Sequence, residues 1–258
     1  MSEPDSRLSG RRVLVVGASS GVGRAAGLAL AREGARVAFA ARRRERLDDA
    51  VREAGKEALA VECDVQEEQS VQAAVARTVD AFDGLDALIY APGIAVFESL
   101  TDLDAETWRR VLDTNLVGPT IAMRAAIEHL HASRGKVVLV SSIVIDDHPP
   151  RPQNAPYVVS KVALEALAAA WQGEHRAVGF TTVAMGDTVT EFGQDNDPAR
   201  LGPMVHRWIE GGYMYGRAME AESIAEQIVS ALRSRETVRR IAITPRYSDD
   251  PSDGGGFW

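Results

Sequence analysis

Residues 11–34 read RRVLVVGASSGVGRAAGLALAREG, and the order of residue types in this stretch predicts the fold. The stretch begins with a short apolar run rich in β-branched residues, which is typical of a strand that is buried on both faces. The run ends at Gly17, and the helix-forming segment after the turn ends at Gly34. A buried strand followed directly by a helix is the first unit of a parallel α/β sheet.

The same alternation of strand and helix continues along the chain. Six further runs are apolar and short enough to be strands: residues 35–41, 57–65, 85–93, 135–144, 178–186 and 239–247. Strands that are apolar throughout and separated by helices pair in parallel and are covered on both faces. We therefore predict a doubly wound α/β fold with seven parallel strands in a single Rossmann-type domain.

The predicted domain spans residues 11–247, with a substrate loop or lid over about residues 186–220. The two ends, residues 1–10 and 248–258, are predicted to be flexible tails. The terminal Phe257 and Trp258 are compatible either with docking on a neighbouring subunit or with a solvated tail.

The composition restricts the possible classes of function. The chain has 258 residues, of which 45% are hydrophobic and 26% are charged, as in an ordinary globular domain. Its net charge of −8 argues against sequence-independent binding of nucleic acid, which requires clustered cations. Cys63, the single cysteine, cannot form an internal disulfide, the N-terminal residues lack a signal peptide, and no apolar run approaches the roughly 20 residues that span a bilayer. We therefore expect a cytoplasmic protein without a membrane span.

The turn after the first strand has the chemistry of a phosphate site. Gly17, Gly21 and Gly23 allow a tight turn at which backbone N–H groups and a helix N-terminus can approach a pyrophosphate. Glycine also serves ordinary turns, so the triplet acquires its meaning from its place between the first strand and the first helix. We predict that this turn binds a dinucleotide.

Tyr157 and Lys161 stand four residues apart at the predicted start of a helix, so they share one helix face. An ammonium near a phenol favours the phenolate and lowers the tyrosine pKa from its reference value of about 10. Such a tyrosine could exchange a proton near neutral pH. Taken alone, however, the pair is better explained as part of an amphipathic helix with one surface lysine.

Several motifs, in order along nearly the whole chain, resemble those of the short-chain dehydrogenase/reductase family, in the branch called "classical". The matching segments are GASSGVG (17–23), CDV (63–65), YAPG (90–93), the asparagine of WRRVLDTNLVGP (108–119), VLVSS (138–142) and YVVSK (157–161). Several independent spacings that agree are more specific than any one motif. The resemblance implies an oxidoreductase that moves hydride between a nicotinamide and a carbonyl or alcohol.

The resemblance implies that Tyr157 is the catalytic acid/base and that Lys161 lowers its pKa while binding the nicotinamide ribose. Ser142 would hold the substrate oxygen, and Asn115 would support a water-mediated proton relay. Ser141 and Ser142 point to opposite faces of a strand, and Ser142 is chosen because the family uses the second serine. A strand end and a solvent-exposed lysine remain the structural alternatives for Ser142 and Lys161.

The resemblance also implies a cofactor-binding set. It comprises Gly17, Ser19, Ser20, Gly21, Val22, Gly23, Arg42, Arg43, Asp64, Val65, Ala91, Gly93, Tyr157, Lys161, Gly186, Thr188 and Thr190. Asp64 and Val65 would equally suit a polar strand end and a core valine.

The residues after the second strand bear on the choice between NAD and NADP. NAD enzymes carry an acid here that binds the ribose 2′-hydroxyl, whereas this chain has Ala41 followed by Arg42, Arg43 and Arg44. Cations at a helix N-terminus oppose the helix dipole, and a 2′-phosphate would relieve that cost. We predict NADP(H) as the cofactor, with Arg42 as the first contact. A solvated basic turn, balanced by neighbouring acids, is the alternative.

The chain departs from the family pattern in places. Tyr90 and Ala91 replace both asparagines of the Asn-Asn-Ala-Gly segment, and Met185 replaces the proline that usually precedes the glycine after the sixth strand. Tyr157 follows Ser142 by fifteen residues, slightly more than is usual, because of a proline-rich loop. A catalytically impaired NADPH-binding sensor or scaffold is therefore kept as an alternative. An epimerase or dehydratase of the extended branch is disfavoured, because its glycine spacing and longer C-terminal domain are absent.

Loops beyond the strand ends, about residues 143–156 and 191–216, are expected to recognise the substrate. The second loop carries side chains suited to an apolar cyclic or polyketide-like ketone: Phe192, Met204, Trp208, Tyr213, Met214 and Tyr215. Packing of an amphipathic lid helix on the core explains these residues equally well.

No metal site is predicted, because His129 and His131 stand two apart on a helix and their side chains diverge.

Family members commonly assemble through the long helices after the fourth and fifth strands. The resemblance therefore implies a homo-dimer or a homo-tetramer.

Overall fold

The structure, a computed structural model, describes residues 8–193, 196 and 198–246 of the chain. The predicted C-terminal tail and residues 1–7 lie outside this part. Leu8 is buried in the core, and the Gly10 N–H donates to the Gly34 carbonyl at 2.8 Å. The packed domain therefore already includes residues 8–10, which lie within the predicted N-terminal tail.

Seven parallel strands form one sheet in the order β3-β2-β1-β4-β5-β6-β7, which confirms the predicted doubly wound fold. The strands are β1 (Arg12–Val16), β2 (Arg36–Ala41), β3 (Ala58–Glu62), β4 (Ala87–Tyr90), β5 (Lys136–Ser142), β6 (Gly179–Met185) and β7 (Arg240–Ile243). The strand order reverses direction between β1 and β4. In open parallel sheets, ligands bind beyond the carboxyl ends of the strands at such a point.

Helices cover both faces of the sheet. They are α1 (Gly21–Arg32), α2 (Arg44–Ala54), α3 (Glu68–Phe82), α4 (Ala105–Leu112), α5 (Gly118–Ser133), α6 (Ala155–Glu174), α7 (Pro198–Glu210) and α8 (Ala221–Arg233). Val13 and Val15 of β1 pack on the side of α1 and α8, whereas Leu14 and Val16 pack on the side of α3, α5 and α6. Burial on both faces explains why the strands are apolar throughout.

The helical region between β4 and β5 is interrupted. α4 ends at Leu112, a π-helical turn occupies Asp113–Val117, and α5 begins at Gly118. Single π turns inside helices are frequent at functional sites, because the extra residue redirects the side chains of the turn. This π turn carries Asn115.

Candidate functional site

The glycine turn between β1 and α1 is packed so tightly that a side chain would clash at two positions. Gly17 has a φ of +81°, and a Cβ there would lie 2.9 Å from Pro92. A Cβ at Gly23 would lie 2.3 Å from the carbonyl oxygen of Gly17. Because α1 begins at Gly21, directly after the turn, the unpaired N–H groups of its first turn lie near the carboxyl end of β1.

The other predicted cofactor residues follow the ends of neighbouring strands along the same edge of the sheet. Ser19, Ser20 and Val22 belong to the glycine turn and the start of α1, while Arg42, Arg43, Asp64, Val65, Ala91, Gly93, Gly186, Thr188 and Thr190 follow β2, β3, β4 and β6. A Cβ at Gly21 would lie 3.2 Å from Cγ2 of Thr190, so the segment after β6 packs against the turn. The Oδ1 atom of Asp64 accepts the Gln66 N–H at 3.0 Å, which also satisfies the interpretation of Asp64 as a polar strand end.

Ser142 and Tyr157 meet at one end of a cavity. Ser142 is the last residue of β5, Tyr157 lies in the first turn of α6, and the Ser142 side chain acts to lower the pKa of Tyr157. Both residues are buried and both line the cavity. The neighbouring Ser141 is fully buried, and its Oγ atom has no hydrogen-bond partner among the described residues. Only the second serine of the pair therefore reaches the cavity, as alternation along a strand requires.

Lys161 is buried beneath Tyr157 on the same helix. Its Nζ atom lies 5.6 Å from the centre of the Tyr157 ring and donates to the Val140 carbonyl at 2.8 Å. Only 3% of the Lys161 surface is exposed. The alternative interpretation of Lys161 as a solvated surface lysine is therefore wrong. An ammonium has three donors, and Val140 is the one partner that they have among the described residues.

Burial moves the pKa values of this pair in directions that correct the sequence-based expectation. Desolvation raises the pKa of Tyr157 to about 12, although the hydrogen bond from Ser142 and the charge of Arg151 lower it. Desolvation also lowers the pKa of Lys161 to about 8, against the opposing effect of Glu165. The expected lowering of the tyrosine pKa by Lys161 is wrong for the protein alone, because burial disfavours both charged forms.

The buried ammonium predicts a pH-dependent stability difference for Lys161→Met. Below pH 8 the folded wild type carries a desolvated charge, and this penalty disappears as the pH rises from about 8 towards the unfolded value of 10.5. The wild type should therefore gain about 2 to 3 kcal/mol relative to Lys161→Met between pH 7 and pH 10. Urea unfolding of both proteins at the two pH values measures this gain.

Lys56→Met removes an exposed lysine and serves as the matched control. Its difference from the wild type should be the same at pH 7 and pH 10. An equally constant difference for Lys161→Met would contradict the burial argument.

The cavity has a volume of about 410 Å³ and is mostly apolar. Its lining includes Phe97, Val144, Phe192, Leu201, Val205, Trp208 and Met214. The Phe192 ring lies 5.0 Å from the Tyr157 ring, and the Phe97 ring lies 5.3 Å from that of Trp208. Met204 of α7 is buried in a small apolar cluster with Leu201, Val205 and Trp208, and Phe97 packs against this cluster. Trp208 also lines the cavity, so the segment contributes both to packing and to the cavity wall.

Arg151 and Asp187 are cavity residues that the sequence did not single out. Arg151 is 4% exposed and donates to Asp147 at 3.1 Å, to Asp187 at 3.2 Å and to the Tyr213 carbonyl at 2.6 Å. Asn154, another buried lining residue, was also missed. Nothing in the local pattern marks these residues beyond the place of Arg151 and Asn154 in the predicted loop 143–156 and of Asp187 in the predicted lid of about residues 186–220.

Comparison with known proteins identifies the family. A family model described as short chain dehydrogenase matches residues 11–200. The chain belongs to the short-chain dehydrogenase family. It is an oxidoreductase of that family, as the motifs of its sequence predict.

Two similar proteins align with most of this chain. An uncharacterised oxidoreductase of Methylorubrum extorquens is 33% identical over 192 residues, which cover 72% of this chain and 76% of that protein. Hydroxynaphthalene reductase of Aspergillus fumigatus is 27% identical over 240 residues, which cover 92% of this chain and 82% of the relative. Among solved structures, an alcohol dehydrogenase of the archaeon Thermococcus sibiricus, complexed with 5-hydroxy-NADP, shares the fold with a TM-score of 0.81 and 24% identity, covering 93% of this chain and 98% of its own.

The Asn115 side chain hydrogen-bonds to two other segments of this short-chain dehydrogenase. Its Oδ1 atom accepts the Ile94 N–H, and its Nδ2 atom donates to the Ile94 carbonyl and to Ser160 Oγ, all at 2.9 Å. The Ser160 hydroxyl in turn donates to the Tyr157 carbonyl at 2.7 Å. The side chain thus joins the π turn, the segment after β4 and the second turn of α6, while the predicted part of Asn115 in a proton relay stays a prediction.

Two of the departures from the family pattern, at Tyr90 and at Met185, are accommodated by the fold. The Tyr90 hydroxyl donates to the Thr114 carbonyl at 2.7 Å, so the tyrosine supports the π turn from β4. Burial raises the pKa of Tyr90, which keeps its hydroxyl protonated as this bond requires. Met185 remains in β6, where it pairs with Ser142 of β5 and Ile243 of β7.

Arg43, rather than Arg42, reaches the glycine turn. The Arg43 guanidinium donates to Ser19 Oγ at 2.8 Å and to Ser20 Oγ at 2.8 Å. Arg42 is exposed and forms no side-chain hydrogen bond with another described residue. Of the two arginines after β2, Arg43 is therefore the one that faces the glycine turn.

Within residues 8–193, 196 and 198–246, no group of three or more potential ligands could hold a metal ion. His131 instead contacts His175, with 2.9 Å between Nε2 and Nδ1. In the same part of the chain, no helix has the length and apolar character needed to cross a membrane.

Proposed function

We propose that the protein is an NADP(H)-dependent oxidoreductase that interconverts a ketone or aldehyde and the corresponding alcohol. The observation that carries this proposal is the cluster of Ser142, Tyr157 and Lys161 at one end of an apolar cavity. In it, two hydroxyl groups converge on the space that a carbonyl oxygen would occupy, and a buried ammonium lies behind them.

The residues present fit a nicotinamide dinucleotide. Lys161 is buried, and two of its three N–H donors have no partner among the described residues, which suits the hydroxyls of a ribose. The glycine turn offers the N-terminus of α1 to a pyrophosphate. When bound, the nicotinamide would supply or accept the hydride.

The protein's own residues would manage the proton. In carbonyl reduction, the Tyr157 O–H gives its proton to the substrate oxygen, and Ser142 holds that oxygen by a hydrogen bond. A tyrosine pKa raised to about 12 keeps the phenol protonated at neutral pH, so the proton that carbonyl reduction needs is in place on Tyr157. Lys161 stabilises the phenolate that remains.

The arginines after β2 support NADP over NAD, and we propose Arg43 as the first contact of the 2′-phosphate. NADPH should exceed NADH by at least tenfold in kcat/KM, a difference of about 1.4 kcal/mol. Arg43→Gln should remove most of this preference, whereas Arg42→Gln should retain more of it. Steady-state kinetics with both cofactors measures the ratios, and comparable efficiency with NADH in the wild type would refute the assignment.

The cavity supports a neutral, apolar carbonyl compound, such as a cyclic ketone, as the substrate. Its polar group Arg151 is already paired with Asp147 and Asp187, so it offers little to an acidic substrate. Similarity to a hydroxynaphthalene reductase is in keeping with a ring substrate. The test is a screen of NADPH oxidation with ketones, aldehydes and quinones, run alongside Tyr157→Phe as the inactive control.

The rival function is a non-catalytic sensor or scaffold, which the altered YAPG segment and Met185 before Gly186 made conceivable. The Tyr90 hydroxyl accounts for the YAPG segment by supporting the π turn, and Met185 remains paired within the sheet. The complete Ser142, Tyr157 and Lys161 cluster therefore favours the enzyme.

We further propose that the protein forms a homo-dimer or homo-tetramer through α5 and α6. Val159 and Val162 on α6, and Val117 just before α5, are 47%, 50% and 44% exposed. Exposed apolar side chains on these helices support association of subunits there.

A further inference from the structure

Glu191, at the start of the substrate loop after β6, pairs with Arg43 at the N-cap of α2 and with Arg46 on α2. Glu191 accepts a hydrogen bond from Arg43 at 2.7 Å and a second from Arg46. These partners lie 148 and 145 residues away in sequence. The two oxygens of one carboxylate are thus divided between two guanidinium groups.

This contact lies at the place where the 2′-phosphate of the proposed cofactor would be recognised. The Arg43 guanidinium also donates to Ser19 and Ser20 of the glycine turn. Thr190, which precedes Glu191, packs against Gly21 of the same turn. The segment after β6 therefore brings the Glu191 carboxylate to the two guanidinium groups beside the glycine turn.

A carboxylate and a phosphate monoester compete for the same guanidinium donors, because each can accept two parallel N–H···O hydrogen bonds with two of its anionic oxygens. The two arginines lower the pKa of Glu191 to about 2, so the carboxylate is ionised throughout the physiological range. The side chains of Glu191, Arg43 and Arg46 are 38%, 44% and 45% exposed, and ion pairs that exposed contribute little stability. A doubly charged phosphate can displace such a carboxylate.

We propose that the Glu191 carboxylate competes with the cofactor for Arg43 and Arg46. The 2′-phosphate of NADP(H) must displace this carboxylate, whereas NAD(H) leaves it in place. The inference rests on the proposed binding of NADP(H). It makes Glu191 a determinant of cofactor specificity that weakens the binding of the phosphorylated cofactor.

The test measures direct binding of NADPH, NADH and adenosine 2′-phosphate to the wild type and to Glu191→Gln. Removal of the competing charge should tighten NADPH and adenosine 2′-phosphate about fivefold or more, while the Kd of NADH stays within twofold. Asp48→Asn is the matched control, because Asp48 pairs with Arg44 on the same helix at 3.0 Å. This control removes an equal charge nearby without touching Arg43 or Arg46.

An unchanged or weaker affinity of Glu191→Gln for NADPH would overturn the inference, as would equal tightening in Asp48→Asn. The proposed cofactor is judged separately through Arg43→Gln. If that variant weakens NADPH at least tenfold while Glu191→Gln changes nothing, the NADP(H) preference stands and the role of Glu191 fails. If neither variant affects NADPH and NADH binds equally well, both proposals fail.

Discussion

Tyr157→Phe is expected to lower kcat for NADPH-dependent carbonyl reduction by about 10³-fold, near the middle of the range for loss of a positioned general acid. The substitution removes one hydroxyl and keeps the ring that packs 5.0 Å from Phe192. Because Tyr157 is buried, phenylalanine fills the same volume, and the fold should be retained. The Kd of NADPH should change by less than about threefold, since Lys161 and the glycine turn remain.

Turnover numbers and NADPH binding, measured on the same preparation, distinguish loss of chemistry from loss of the cofactor site. Activity within tenfold of the wild type would remove Tyr157 from the proposed role. A loss of activity that parallels a loss of NADPH affinity would mean that the hydroxyl acts in binding.

The sequence predicted those parts of the site that depend on local spacing and on sheet topology. Tyr157 and Lys161 share a face because four residues make about one helical turn, and Ser142 faces the cavity because side chains alternate along β5. Parallel strands end at one edge of the sheet, so motifs that follow different strands come together without further information. Burial on both faces made each strand visible as an apolar run.

The parts that escaped prediction depend on three-dimensional burial or on contacts between distant loops. The sign of the Tyr157 pKa shift follows from its desolvation, whereas the sequence shows only that a lysine is near. The pairing of Arg43 with Glu191, and of Arg151 with Asp187, joins loops whose relative placement no local pattern records. The π turn escaped for a similar reason, since it is supported by the Tyr90 hydroxyl from another element.

Ser142→Ala should lower kcat/KM for carbonyl reduction by about 10²-fold to 10³-fold, as expected when one hydrogen-bond donor to a reacting oxygen is removed. The variant also loses the hydrogen bond that lowers the pKa of Tyr157. In the direction of alcohol oxidation, where the phenolate must form, the rise in rate with pH should therefore move to higher pH than in the wild type. A purely structural role for Ser142 would leave the position of this rise unchanged.

Ser141→Ala is the matched control, because it makes the same chemical change one residue earlier on the same strand. The Ser141 hydroxyl is fully buried, and it has no hydrogen-bond partner among the described residues. Its removal should leave kcat/KM within about twofold and should be neutral or stabilising by up to about 1 kcal/mol, since an unsatisfied buried hydroxyl costs free energy. Equal losses of activity in both variants would show that β5 tolerates no change there, and the role assigned to Ser142 would then fail.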